Sequence, residues 1–169
     1  KAAVACDPNV YPIWNQILLL EYEFQQFDSL VIDAEKCIGF FPTQALPYFV
    51  LGTALNHQGN FQKSLSTLQT GIDYVLKDAD LKAEFYGQIG EAEFGMKHTK
   101  EAIAAFDKSL NLSVKNNFVK NNYAYQLALH ELDLTKAVQM IDEVLVLFPN
   151  EARYLDTKGF ILFQQGKYM

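Results

Sequence analysis

Positive charge is in short supply in this sequence of 169 residues. Fourteen lysines and arginines stand against 20 aspartates and glutamates, leaving a net charge of −6. A protein that neutralises many phosphates needs the opposite balance, so the composition argues against a general nucleic-acid binder and against an anionic membrane surface. Long hydrophobic runs are lacking too. The run Ile17-Leu18-Leu19-Leu20 stops at Glu21, far short of the roughly 18 residues of a membrane span. Only two cysteines occur, Cys6 and Cys37, and neither belongs to a CxxC. They could make one bridge but no disulfide framework, and two small buried thiols is the simpler reading.

Catalytic constellations are equally scarce. His57, His98 and His130 stand far apart, without metal-ligand spacing, and His130-Glu131 has no second histidine to complete HExxH. Gly87-x-x-Gly90 lies in an apolar helical run, where close packing explains it better than phosphate binding. Glu91 and Glu93, two residues apart, point to different helix faces and make no acid–base pair. Serine, cysteine and histidine are too scattered to pair a nucleophile with a base. Nothing here points to an enzyme, a metal or another cofactor. What the chain does have is apolar content: half of it is hydrophobic and 14% aromatic, which suits a packed fold and not disorder.

That content is periodic. Gly52-x6-Gly59 is echoed by Gly159-x6-Gly166, each pair followed by an aromatic, Phe61 or Tyr168. The runs 100–112 and 136–147 both space apolar residues as a helix does, with a small residue early, Ala102 or Ala137. Stops at Asp7-Pro8-Asn9, Phe41-Pro42-Thr43 and Phe148-Pro149-Asn150 close such helices. Pro8 and Pro42 are 34 residues apart, and Pro42 and Pro149 are 107 apart, which is three such periods with five residues inserted.

This pattern resembles the tetratricopeptide repeat across the whole chain. The first repeat spans 11–44, with Trp14 and Pro42 at signature positions. The second spans 45–82, with Tyr48, Leu51, Gly52, Gly59, Leu68 and Gly71; the third, 83–117, has Tyr86, Ile89, Gly90, Ala102 and Phe106. The fourth, 118–151, has Ala124, Ala128, Ala137, Ile141 and Pro149; residues 152–169 read as helix A of a further repeat, with Gly159 and Leu162. Residues 1–10 read as the end of a preceding helix B, with Ala3 in register. The resemblance implies an all-α, right-handed superhelical solenoid of antiparallel helical hairpins.

Several features carry packing expectations. Glycine early in helix A lets helix B approach. Leu18 and Tyr125 occupy that place in the first and fourth repeats, so those hairpins should be splayed or rotated. Gly59 and Gly166 suit left-handed helix ends. Cys37, Gly71, Ser109 and Val144 share a small-residue position against which the next helix A should press. The inserted residues 78–82 should lengthen the second helix B or the turn after it. A chain cut within repeats would leave the last helix A exposing Leu155, Ile161 and Leu162 as a patch for self-association.

By resemblance, helices A line a concave groove. Its predicted residues are Asn15, Leu19 and Tyr22 in the first repeat, and Phe49, Thr53 and Asn56 in the second. The third offers Gln88, Glu91 and Phe94, the fourth Asn122, Tyr123 and Gln126, and the fifth Arg153, Asp156, Phe160 and Phe163. Amides that bond a peptide backbone alternate with aromatics that anchor side chains. The basic clamp by which chaperone-binding members hold a terminal carboxylate is missing. Its places hold Asn15, Leu19, Val50, Glu84 and Gln88, or, one repeat on, Phe49, Thr53, Gln88, Val119 and Tyr123. A neutral or mildly basic peptide fits the charge better. The expected function is a protein-interaction scaffold with a protein or peptide partner, no nucleic acid, no small-molecule substrate and no membrane span. The alternative is a structural spacer array within a larger multi-domain or envelope protein. Phrases such as Asn121-Asn-Tyr-Ala-Tyr and Tyr154-Leu-Asp-Thr-Lys-Gly look like bacterial repeat proteins, many of them envelope lipoproteins. That resemblance implies a bacterial origin, in the cytoplasm or on the periplasmic side of the envelope.

Overall fold

The computed structural model of the chain describes residues 7–166. The expectations for Ala3, Cys6 and Tyr168 lie outside the described residues. Nine helices and no strand occur among the described residues: α1 (Tyr11–Glu23), α2 (Phe27–Phe40), α3 (Ala45–His57), α4 (Phe61–Ile72), α5 (Ala79–Gly95), α6 (Thr99–Leu112), α7 (Asn117–Leu129), α8 (Leu134–Leu147) and α9 (Ala152–Gln164). Each odd helix up to α7 pairs with the even helix after it and also packs on the next odd helix, whereas even helices meet one another through side chains, as in the Lys63–Glu35 and Lys136–Asp107 ion pairs. The odd helices therefore form an inner layer and the even helices an outer one, as an all-α solenoid requires.

The turns inside hairpins share one device. The second residue after the first helix takes a left-handed conformation at Gln25, Gly59, Lys97 and Glu131, as Gly166 does after α9, with φ between 51° and 75°. Past the first four, the next residue's N–H returns to a carbonyl five residues back, as Asn60 does to Leu55 at 2.8 Å and Leu132 to Leu127 at 2.9 Å. This is a Schellman-type closure, for which glycine is the unstrained choice. It was expected at Gly59 and Gly166; Gln25, Lys97 and Glu131 adopt it without glycine. Between hairpins, side-chain caps start the next helix at Asp78 and Asn116, and within the fourth hairpin Asp133 does the same.

Hairpin closeness follows the glycines. The α3–α4 and α5–α6 pairs are the tightest and the α1–α2 pair the loosest. A Cβ on Gly90 would lie 2.5 Å from the Phe106 ring, and one on Gly52 would run into Leu68. Leu18 at the same register holds the first hairpin wider, as expected; in the fourth the expectation for Tyr125 is corrected, since the buried Ala124 stands at that register and Tyr125 is partly exposed. The small-residue position is also as expected: Cys37, Gly71, Ser109 and Val144 are all buried, and a Cβ on Gly71 would meet Tyr48 and Phe85. Burial pushes the Cys37 thiol up to about 11, which suits packing and not reactivity.

Of two further expectations, one is met in its second alternative, since the inserted residues lengthen the turn after α4, and the other needs correction. The insertion does not lengthen α4, which has 12 residues against 14 for α2. The following turn, 73–78, is two residues longer than 41–44, and the remaining length becomes an extra turn at the start of α5, which reaches 17 residues. Asp78 caps that turn, accepting from Leu81 N–H at 2.9 Å; no glycine or proline intervenes, so the helix simply starts earlier. On α9, Leu155 is 47% exposed, but Ile161 is wholly buried. It packs into the core with Leu127 and Ala128 of α7, because that face of α9 meets the preceding odd helix.

The buried apolar residues fall into two clusters. One runs from Trp14 to Ile89 and takes in Ala105; the other runs from Phe94 to Ile161. They meet along α5.

Candidate functional site

The concave side of the inner layer encloses a cavity of about 940 Å³, reached by residues from Tyr22 on α1 to Arg153 on α9. Its floor is polar and continuous across α3, α5 and α7. Asn56 donates from Nδ2 to the Gln88 backbone carbonyl at 2.9 Å and to Gln88 Oε1 at 3.1 Å. One helical turn further along α5 stands Glu91, which accepts from Gln126 Nε2 on α7. One turn back on α7, Asn122 accepts from Asn121 Nδ2 at 3.3 Å. Spacings of three and four residues put each pair on one helix face. Burial pushes the Glu91 carboxyl up to about 7, and the Gln126 amide draws it part of the way back.

The walls are aromatic. His57 stacks on Phe27 with ring centroids 4.0 Å apart, and His130 on Phe94 at 4.8 Å with planes 10° apart. Arg153 lies over the Phe118 ring at 5.8 Å. Tyr22, Tyr125, Phe61 and Leu129 add to the apolar part of the lining, and Glu23 and Lys97 stand on exposed ground at its edge.

Of the predicted groove residues, Tyr22, Thr53, Asn56, Gln88, Glu91, Phe94, Asn122, Gln126 and Arg153 line this cavity. Asn15, Leu19, Phe49, Tyr123, Asp156, Phe160 and Phe163 do not. Asn15 is half-buried on α1 and Leu19 lies exposed further along the same helix. Phe49 is buried behind the floor, between the Tyr22 and Phe85 rings. Asp156 and Phe163 are exposed on α9, and Phe160 braces Tyr125 at 5.1 Å from beneath the rim.

Tyr123 is the clearest displacement. Its ring is fully buried, stacked on Phe106 at 4.7 Å, and its hydroxyl donates to Asp107 at 3.2 Å while accepting from Lys136 at 3.1 Å. The cause is the turn after α7, which has four residues against three after α3 and α5: Ala124 takes the place of Gly52 and Gly90, so Tyr123 faces the core and Tyr125 the cavity. Sequence reasoning therefore missed Tyr125. It also missed Asn121, and the histidines His57, the last residue of α3, and His130, the first after α7, whose place at a helix end was the available signal.

No protein-family model matches the sequence and no curated protein matches it. Solved structures do resemble it. TTC0263, a thermophilic TPR protein of Thermus thermophilus, superposes with a TM-score of 0.75 at 16% identity, covering 97% of this chain and 86% of that one. YrrB, a TPR protein with an unusual peptide-binding site, gives 0.61 at 12% identity over 98% of this chain and 83% of the other. The Cut9–Hcn1 hetero-tetramer of the APC/C gives 0.69 at 22% identity, with 86% of this chain matching 29% of that one. At such identities the likeness speaks to architecture alone, and it agrees with the inner and outer helix layers, the glycine-tightened hairpins and the small-residue contacts: the chain has the tetratricopeptide-repeat fold.

Proposed function

We propose that the chain is an interaction scaffold that holds an extended segment of a partner protein in the concave cavity. One observation carries this reading: an amide-rich floor spanning three successive inner helices, flanked by aromatic rings. Amides can match the alternating donors and acceptors of a peptide backbone, and the rings offer apolar purchase with little loss of conformational freedom. YrrB's peptide-binding site lends the reading support by analogy of fold.

The test is peptide display against the intact chain, with each recovered peptide then assayed against an Asn122→Ala/Tyr125→Ala variant. Both side chains line the cavity and neither is fully buried, so circular dichroism should show an unchanged helical fold. Peptides that bind about tenfold more weakly to the variant are expected, a loss typical of removing one anchoring side chain. Equal binding to both proteins would place recognition elsewhere. Recovery of no peptide would favour the spacer array.

A further inference from the structure

The cavity floor is unbalanced between donors and acceptors. Asn56 spends its amide hydrogens on Gln88, and its Oδ1 is buried with no protein donor. Asn121 is only 4% exposed; its Nδ2 goes to Asn122, and its Oδ1 is likewise buried with no protein donor. Between them stands the Glu91 carboxyl. Three acceptors thus sit along a single strip, and buried acceptors are ordinarily paired.

Asn121 stands ten residues before the left-handed Glu131, the register that Asn15, Phe49 and Gly87 hold before Gln25, Gly59 and Lys97. Phe49 and Gly87 bring no side-chain acceptor to that place, so among the three floor helices the acceptor there is particular to α7.

Resting on the groove reading, we infer that the bound segment presents an arginine side chain, its guanidinium seated on the floor against Asn56, Glu91 and Asn121. A guanidinium is all donors, five N–H groups in one plane, and so complements a floor of acceptors. Its flat faces also pack against aromatic rings. Arg153 over Phe118 is already one such pairing at the cavity edge. Lys97 and Arg153 are the lining cations outside the histidines, and both are exposed at the rim, whereas Glu91 is on the floor. A seated cation stabilises the charged form of Glu91, which burial alone disfavours.

The experiment uses pools of blocked peptides, randomised in the flanks, with a central residue fixed as arginine, citrulline, lysine or glutamate. Binding of each pool to the intact chain and to Glu91→Gln is read by fluorescence anisotropy, with circular dichroism as the check on folding. Citrulline keeps the shape and loses the charge. The arginine pool should bind at least tenfold more tightly than the citrulline pool, the scale of a charge-assisted hydrogen bond, and Glu91→Gln should bring that ratio to about one. Equal binding of arginine and citrulline, a preference for glutamate, or an arginine preference that survives in Glu91→Gln would overturn the inference and leave the groove intact. Lysine matching arginine would overturn the guanidinium assignment. If no pool binds, the inference and the groove reading fail together.

Discussion

Replacing Glu91 with glutamine should stabilise the free protein, and by an amount that depends on pH. The native carboxyl titrates at about 7 against an ordinary value of 4.5. Between those values the unfolded chain releases a proton that the native state keeps, so stability falls as pH rises and the loss is complete above the native value. At 1.36 kcal/mol per decade the full gap is worth about 3.4 kcal/mol. Glu91 is half-buried, lining a cavity open to solvent, so screening reduces the figure to about 1–3 kcal/mol. Glutamine preserves shape, and its amide oxygen can accept the same bond from Gln126. Urea unfolding followed by circular dichroism should therefore show little difference between the two proteins near pH 5 and a clear gain for the variant near pH 8. His57 and His130 are common to both proteins and cancel in the difference. A gain that is constant with pH, or a loss at high pH, would refute burial as the origin of the displaced carboxyl.

Other expectations follow from the packing and the turns. Gly71→Ala should cost about 2–3 kcal/mol in urea unfolding, because its Cβ would press on Tyr48 and lie 2.9 Å from Phe85. Gly159→Ala should add about 0.5–1 kcal/mol, since nothing stands within 4 Å of its Cβ and alanine favours the helix. Glu131→Gly, at φ 51°, should raise the melting temperature by relieving a left-handed non-glycine, worth up to about 1 kcal/mol; an unchanged or lower value would mean that the turn is unstrained. Asn121→Leu should leave the free protein as stable or more so, because it removes a buried acceptor without a protein donor. The same change should weaken binding of the arginine pool.

Much of the architecture was readable from residues alone, because each signature residue answers a local steric demand. Gly52, Gly90, Gly71 and Ser109 mark where helices come closest, and their spacing carries the hairpin order with it. The groove was readable only in part. A position number assumes that every turn has the same length, and the turn after α7 breaks that assumption: one extra residue puts Ala124 in the glycine slot and Tyr123 in the core. Phe49 was misplaced for a different reason, since an aromatic at a groove register can sink between the Tyr22 and Phe85 rings once its neighbours are large. Turn conformation was visible where glycine announced it and hidden at Gln25, Lys97 and Glu131, where hydrogen bonding holds an ordinary residue in the same shape. The unpaired oxygens of Asn56 and Asn121 depend on partners far along the chain, which no local pattern encodes.

The meeting of the two apolar clusters along α5 bears on how the molecule comes apart. In a stack where each hairpin touches only its neighbours, unfolding need not be all-or-none, and separate blocks can open with their own free energies. Here Ile89 belongs to one cluster and Phe94 to the other, so a single helix of 17 residues, about 25 Å long, is a beam common to both blocks. Either block can loosen at its outer end without disturbing the other, but neither can release α5 without stripping its neighbour of a wall. Amide protons in the middle of α5 should accordingly be the slowest in the chain to exchange with solvent, and the cavity floor that rests on this helix inherits its persistence.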